Sequence, residues 1–330
     1  MTDSISAIVA QETDQGVRGT LQQIDVADLP DEDVLVEVAY STLNYKDGLA
    51  VSGKGKICRS LPMVCGIDLA GTVLESRSGE FSPGDKVVAT GWGLGEKYWG
   101  GYTQQQRLRP DWLVRVPDTL SPEICMAIGT AGYTAMLCIQ AIQDHGVTPE
   151  SGPVIVTGAT GGVGSVAVMM LAKLGFDVHA VSGKADAAEF LRELGASETI
   201  AREDLHRDSR PLESEQWAAA VDAVGSKTLA TVLAQTRYGG IVTACGLAGG
   251  ADLHTSVMPF ILRGVTLAGI DSVMAPREKR QRVWTALAEL IDAAQLKTIY
   301  RIEPMSELPQ LADDIVAGRI KGRVVIDVNK

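Results

Sequence analysis

Histidine and cysteine are scarce in this chain: 330 residues include four His and five Cys. His145, His179, His206 and His254 stand apart from one another, and Cys58, Cys65, Cys125, Cys138 and Cys245 form no Cys-x-x-Cys. A zinc ion would lack its usual thiolate and imidazole donors, so no metal is expected. No secreted disulfide scaffold is spelled out either, and the thiols read as reduced. Basic residues are outnumbered, 30 Lys and Arg against 41 Asp and Glu, giving a net charge of −11. That balance excludes an extended nucleic-acid surface, which needs a positive face, and leaves only local basic pockets. The first residues carry no charged-then-apolar leader, and no uninterrupted apolar run approaches the ~20 residues of a bilayer span. The expectation is a cytoplasmic protein with no membrane contact.

What is present is 45% hydrophobic and 22% charged residues, enough for two ordinary domains with sizeable cores. From Val34 to Gly132 the segments are short and β-rich, among them "VLVEVAYSTLN", "AGTVLES", "DKVVAT" and "WLVRVP", each bounded by Gly, Pro or Asp. They predict a small, irregular β-barrel-like domain. Beyond Ser121 the apolar residues recur with a helical period of about 3.6, opening on a Ser-Pro helix start. Strands and helices then alternate: "PVIVTG", "VGSVAVMMLAKLG", "DVHAVSG", "ADAAEFLRELGA", "AAAVDAVG", "SKTLATVLAQT", "GGIVTACG" and "VTLAGIDS". Alternation of this kind demands a parallel sheet with helices on both faces, because parallel strands need crossovers. The closing "GRVVIDV" reads as a strand able to return to the first domain. The chain is therefore expected to be α/β, with a Rossmann-type doubly wound domain at 121–296 inserted in a discontinuous β domain made of 1–120 and 297–330.

In "PVIVTGATGGVGSVAVMMLAKLG" glycines occupy positions 158, 161, 162 and 164, between a strand and a helix. A turn without side chains lets a pyrophosphate reach the backbone and the helix N-terminus, whose free N–H groups favour anions. Ala159 replaces the first glycine of the usual G-x-G-x-x-G. The second strand selects the dinucleotide. An NAD site places a carboxylate there for the ribose hydroxyls; this strand ends "VSGKAD", so Ser182 and Lys184 offer a hydroxyl and a cation suited to the 2′-phosphate of NADPH. Asp186 reads as a helix cap. Arg202 is either a second cation near the adenine or a solvated loop residue.

With these motifs the sequence resembles the medium-chain dehydrogenase/reductase superfamily over its whole length, through "GIDLAGTV", "PGDKV", "GTAGYTAM" and "GATGGVG". The resemblance implies that the β domain is GroES-like. Zinc-containing alcohol dehydrogenases of that superfamily carry Cys in an early C-x-x-D segment and His in "GHE". Asn44-Tyr45-Lys46-Asp47 and Gly66-Ile67-Asp68 stand there in this chain, which places it with the zinc-free, quinone-oxidoreductase-like branch. "STLNYKDGLAVSGKGKI", "TGWGLGEKYWGGY", "RPLESEQWAAAVDAVG", "ACGLAGG" and "VMPFILRGVTLAGIDSV" look like the NADPH-dependent acryloyl-CoA reductases. Carried over position by position, that resemblance implies NADPH contacts from Tyr45, Thr160, Gly161, Gly162, Val163, Ser182, Gly183, Lys184, Arg202, Leu247, Ile261 and Ser272.

Reduction of an activated double bond needs two oriented reactants, stabilisation of an enolate and a proton source. Tyr45 and Asn44 occupy the place of the missing zinc ligand and its neighbour, and are the candidate catalytic residues; Tyr45 either donates to the enolate or only binds cofactor. Asp68 reads as a buried acceptor more readily than as an acid. An enoyl-CoA thioester is polyanionic, and Lys54, Lys56 and Arg59 in "SGKGKICRS", with Arg323 in "RIKGR", are the cations expected to meet it. "PREKRQR" reads as a solvated helix start. Trp92, Tyr98, Trp99 and Tyr102 form either an apolar lid or a satellite of the core. "GVTLAGIDS" resembles the edge strand through which relatives form homodimers. Two other functions fit the same residues: a quinone or enone reductase, and a non-catalytic NADPH-binding protein.

Overall fold

The computed structural model describes residues 4–14, 16–184 and 186–330, and the chain divides into two compact units, Met1–Thr130 with Ser272–Lys330, and Ala131–Asp271. Chain order runs β1 (Ser4–Thr13), β2 (Gly16–Asp25), β3 (Val34–Thr42), α1 (Tyr45–Ser52), β4 (Met63–Val64), β5 (Asp68–Ser76), β6 (Lys86–Thr90), β7 (Gln105–Leu108), β8 (Val114–Arg115) and α2 (Pro122–Asp144). The second unit continues with β9 (Val154–Val156), α3 (Gly162–Lys173), β10 (Val178–Ser182), α4 (Ala187–Glu193), β11 (Glu198–Ala201), α5 (Arg202–Leu205), β12 (Trp217–Asp222), α6 (Ser226–Gln235), β13 (Thr236–Ala244), α7 (Met258–Arg263) and β14 (Thr266–Gly269). The return is α8 (Arg277–Leu290), α9 (Ala293–Leu296), β15 (Tyr300–Pro304), α10 (Leu308–Val316) and β16 (Arg323–Asp327).

In the first unit a seven-stranded sheet is ordered β15-β16-β3-β5-β6-β8, with β7 also paired to β3, and a smaller sheet is ordered β2-β1-β4. The closing segment does return: β16 pairs antiparallel with β3, Val325 opposite Thr42. Alternate residues of β3, Val34, Val36 and Val38, point into one core with Leu69, Val87, Leu113 and Ile326. The hairpin β1–β2, in perfect register from Ser4↔Asp25 to Thr13↔Gly16, precedes Val34, where the β-rich segments read from the sequence begin. Its second strand buries only Gly19 outright, so the sequence carries little apolar alternation there.

The second unit is a six-stranded parallel sheet ordered β11-β10-β9-β12-β13-β14. That is the doubly wound order, with β9 beside the point where winding reverses. The first residue of the helix expected from Ala185 lies outside the described residues; α4 itself runs Ala187–Glu193.

The units divide at 130/131 and 271/272, where the sequence suggested 120/121 and 296/297. Two buried arginines account for the difference. Arg323 donates to the Ala127 carbonyl at 3.0 Å, holding the first turns of α2 in the first unit. Arg280 is 1% exposed and donates to the carbonyls of Thr90 (2.6 Å), Val273 (2.6 Å), Ala275 (3.0 Å) and Ser272 (3.1 Å), with its guanidinium 4.3 Å from the Trp92 ring centroid. "PREKRQR" is thus a helix start, but its central arginine is not solvated. The long helix α2 is also explained by burial. By length and composition it could cross a membrane, yet 83% of its most apolar window is buried in the protein, so its apolarity belongs to the core. Gly129, at φ +50 and ψ −162, kinks the helix.

Candidate active site

Asn44 ends the extended backbone after β3 and caps α1, so that Tyr45 becomes the first residue of the helix with 40% of its surface exposed. The cap is reciprocal: Asp47, three residues on, accepts the Asn44 backbone N–H at 2.9 Å and its side-chain amide at 3.0 Å. The same amide donates to Asp68 at 2.8 Å, bridging two fully buried carboxylates. Asp68 also accepts the Thr130 backbone N–H at 2.9 Å and bonds the Thr130 hydroxyl, while Asp47 accepts the Ile67 N–H at 2.9 Å. Arg323 reaches the Asn44 side-chain oxygen at 3.3 Å and the Thr42 hydroxyl at 2.8 Å. At the kink, a Cβ on Gly129 would come within 2.6 Å of that guanidinium and 3.1 Å of Asp68, so only glycine fits.

Burial, seconded by the charge of Asp68, pushes Asp47 up to about 7. Burial raises Asp68 too, against the hydrogen bonds from Thr130 and Asn44 that favour its charged form. Burial pulls Arg323 down, opposed by the two carboxylates. Asn44 is therefore held by Asp47, Asp68 and Arg323, while the Tyr45 side chain beside it is exposed. Zinc does not fit this donor set: a primary amide and Ile67 stand where the metal branch has thiolate and imidazole. No group of three or more His, Cys, Asp or Glu among the described residues is placed to hold a metal.

In the second unit the turn from β9 to α3 presents Thr160, Gly161, Gly162 and Val163. Gly158 takes the left-handed conformation, φ +61, that the tight turn requires. Ala159 is buried, and its N–H donates to the Val181 carbonyl at 3.0 Å. No side chain caps α3 at Gly161, so its first amides are available to an anion. At the end of β10 the Ser182 hydroxyl accepts the Lys184 N–H at 3.1 Å. Ser182 pairs with Ala201, and Arg202 therefore lies flat on Gly183: a Cβ there would be 2.7 Å from its guanidinium carbon. Ser182, Gly183 and the exposed Arg202 are thus neighbours at the ends of β10 and β11. Asp186 occupies the cap position of α4 without a capping hydrogen bond. Leu247 and Ile261 are 60% and 71% exposed in this unit; Tyr45 and Ser272 belong to the other.

Of the cations expected to meet CoA, Lys56 and Arg59 are exposed, Arg59 3.4 Å from Glu96, and Lys54 lies 3.2 Å from Asp313. Arg323 is not among them. It is 2% exposed and spends its donors on Thr42, Leu43, Asn44 and Ala127, so it is an internal strut. The aromatic loop is core satellite rather than lid. Tyr102 is fully buried with its hydroxyl on the Thr42 carbonyl at 3.1 Å, Tyr98 stacks at 4.8 Å on Trp112, Trp99 joins the β1–β4 cluster, and Trp92 lies under Arg280. Sequence reasoning missed Thr130 and Thr42. Asp47 stands in the Asn44-Tyr45-Lys46-Asp47 segment that the resemblance singled out, but no local pattern marks Thr130.

Two family models match the chain: the alcohol dehydrogenase GroES-like domain over residues 30–118 and the zinc-binding dehydrogenase over 162–292. The acrylyl-CoA reductase AcuI of Ruegeria pomeroyi is 50% identical, covering 98% of both chains. The crystal structure of Escherichia coli K-12 YhdH with bound NADPH superposes with a TM-score of 0.96 at 49% identity, covering 98% of this chain and 100% of that one. Bacillus subtilis yhfP with NAD bound gives a TM-score of 0.95 at 44% identity over 99% and 100%.

Proposed function

The chain belongs to the medium-chain dehydrogenase/reductase superfamily, in its quinone-oxidoreductase-like branch, and from that membership we infer that it reduces acryloyl-CoA to propanoyl-CoA with NADPH and without a metal. The full-length likeness to the Ruegeria acrylyl-CoA reductase carries this reading. The residues fit the cofactor: uncapped amides at the start of α3 suit the pyrophosphate, and Ser182, Lys184 and Arg202 suit the 2′-phosphate. Thr160, Gly161, Gly162, Val163, Gly183, Leu247, Ile261, Tyr45 and Ser272 complete the proposed contacts. When bound, NADPH supplies the hydride that adds to the β-carbon of the thioester.

The chain's own part is orientation, charge and a proton. Lys54, Lys56 and Arg59 attract the CoA phosphates to an otherwise acidic protein. The Tyr45 hydroxyl donates to the thioester oxygen as negative charge develops there, and Asn44 fixes the helix end that aims it. A cytoplasmic location follows from the supply of NADPH and CoA thioesters, and homodimers form through β14.

The test is oxidation of NADPH by the purified protein with acryloyl-CoA, beside crotonyl-CoA, free acrylate and a simple quinone, with NADH as the alternative donor. Turnover fastest with NADPH and acryloyl-CoA is expected. A quinone outcompeting the thioester in kcat/KM would make this an enone reductase. NADPH binding without turnover on any substrate would leave a binding protein.

A further inference from the structure

The apolar strand in "AAAVDAVG" closes on a carboxylate, Asp222, the last residue of β12 and fully buried. Its Oδ1 accepts the Thr157 hydroxyl at 2.6 Å, and its Oδ2 accepts the Gly225 N–H at 2.8 Å. Thr157 Oγ1 in turn accepts the Ala223 N–H at 3.1 Å, so the Thr157 proton is committed to Asp222 and both carboxylate oxygens serve as acceptors. Burial raises the pKa of Asp222, and the hydrogen bonds from Thr157 and Gly225 oppose that shift in favour of the charged form. The main chain of the same residue holds a third segment: its carbonyl accepts the Cys245 N–H at 2.9 Å and the Cys245 thiol at 3.3 Å.

The three segments so held follow β9, β12 and β13, adjacent strands of the parallel sheet in which Val221 pairs with Val156 and Asp222 with Ala244. Thr157 immediately precedes Gly158, whose left-handed conformation opens the glycine turn; a Cβ on Gly158 would lie 3.3 Å from Val224. Gly225 has φ +75 and is followed by Ser226 at φ +51, a conformation that a residue with a Cβ adopts only where its surroundings dictate it. The loop after β13 lies backbone on backbone against this stretch. Gly249 donates to the Val224 carbonyl at 2.8 Å, Gly250 forms a β-bridge with Gly225, and a Cβ on Gly246 would meet the Ala223 carbonyl oxygen at 2.5 Å. The exposed Leu247 belongs to that loop.

We propose, on the reading that this unit binds NADPH, that Asp222 is a positioning residue for the dinucleotide: through Thr157 and Gly225 it fixes both the glycine turn that receives the pyrophosphate and the loop that carries Leu247. The carboxylate is required for this. A primary amide of the same shape offers one acceptor and one donor, and cannot accept from Thr157 and Gly225 together. The pyrophosphate is common to NADPH and NADH, and Asp222 acts on its turn rather than on Ser182, Lys184 or Arg202. Its loss therefore weakens both dinucleotides alike.

The experiment titrates the purified full chain and its variants with NADPH and, separately, with NADH, following nicotinamide fluorescence, with circular dichroism to confirm that each variant folds. Asp222→Asn and Thr157→Val should each raise Kd for both dinucleotides by roughly tenfold. Combined, they should do little more than either alone, because they break one unit. Thr157→Ser keeps the hydroxyl and should bind as the unmutated chain does, and KM for acryloyl-CoA should stay within about twofold throughout. Thr157→Val matches threonine in shape and decides the matter if Asp222→Asn does not fold. Kd for NADPH unchanged in the folded variants would overturn the proposal and leave the NADPH reading standing. So would a rise confined to NADPH, since that pattern belongs to the 2′-phosphate. An unmutated chain that binds neither dinucleotide would remove the NADPH reading and the positioning role with it.

Discussion

Asp47 and Tyr45 are two residues apart, one sealed in the protein and one open to solvent, and each makes a separate prediction. Replacing Tyr45 by Phe removes one hydroxyl from an exposed ring, so the fold should hold while kcat with acryloyl-CoA falls by about 10²-fold and KM for NADPH changes little. A rise in KM alone would assign Tyr45 to cofactor binding. Asp47 predicts the dependence of stability on pH. Its value rises from 3.8 unfolded to about 7 folded, so in that window the folded chain holds a proton that the unfolded chain has lost. Stability from this group is complete below pH ~4, declines as pH rises toward 7 and is flat above. Asp68, also raised, acts with the same sign. Thermal unfolding of Asp47→Asn should therefore lose most of the decline between pH 5 and 7 seen in the unmutated chain; equal slopes would contradict the assignment. Of this site the sequence displays Asn44, Asp47 and Asp68, because Asn44-Tyr45-Lys46-Asp47 and Gly66-Ile67-Asp68 stand where the zinc-containing relatives carry their ligand motifs. The partnership with Thr130 and Arg323 spans 62 residues to the one and joins Arg323 to Asn44 across 279, and no local pattern encodes it.

Elements built on strong periodicity are legible, and elements held by single buried polar groups are not. The strand–turn–helix of β9 and α3 follows from "PVIVTGATGGVG", and β10, β12, β13 and β14 follow from alternation; β11, four mostly exposed residues, brings Arg202 beside Gly183 through its parallel register with β10. That convergence predicts that Lys184→Ala and Arg202→Ala each raise KM for NADPH by about tenfold and leave KM for NADH nearly unchanged. Equal effects on both donors would remove the 2′-phosphate from this cluster. By contrast, α8 begins with charges that suggest solvent, yet Arg280 is a buried strut tying α8 to the Thr90 and Ser272–Ala275 backbone. Arg280→Ala leaves several carbonyl acceptors without donors and should cost on the order of 3 kcal/mol in denaturant unfolding. A loss below about 1 kcal/mol would mean that water replaces the guanidinium.

For the whole molecule the open question is what covers the edge of the parallel sheet. Among the described residues β14 pairs with β13 alone, and its residues are partly buried or, at Gly269, exposed. Nearby in sequence, α7 exposes Ile261 at 71% and Leu262 at 54%, preceded by Val257 at 65%. An unpaired strand edge beside exposed apolar side chains is a hazard for a monomer and a ready surface for a second copy. In a chain with net charge −11, long-range repulsion opposes association, so a dimer must rest on that edge and its apolar flank rather than on ion pairs. Light scattering should accordingly give twice the chain mass, with salt strengthening rather than weakening the association. Amide exchange at residues 266–269 should accelerate on dilution while exchange in β9 and β12 stays slow. A mass of one chain at every concentration, or protection at 266–269 that is indifferent to dilution, would leave β14 as a true edge.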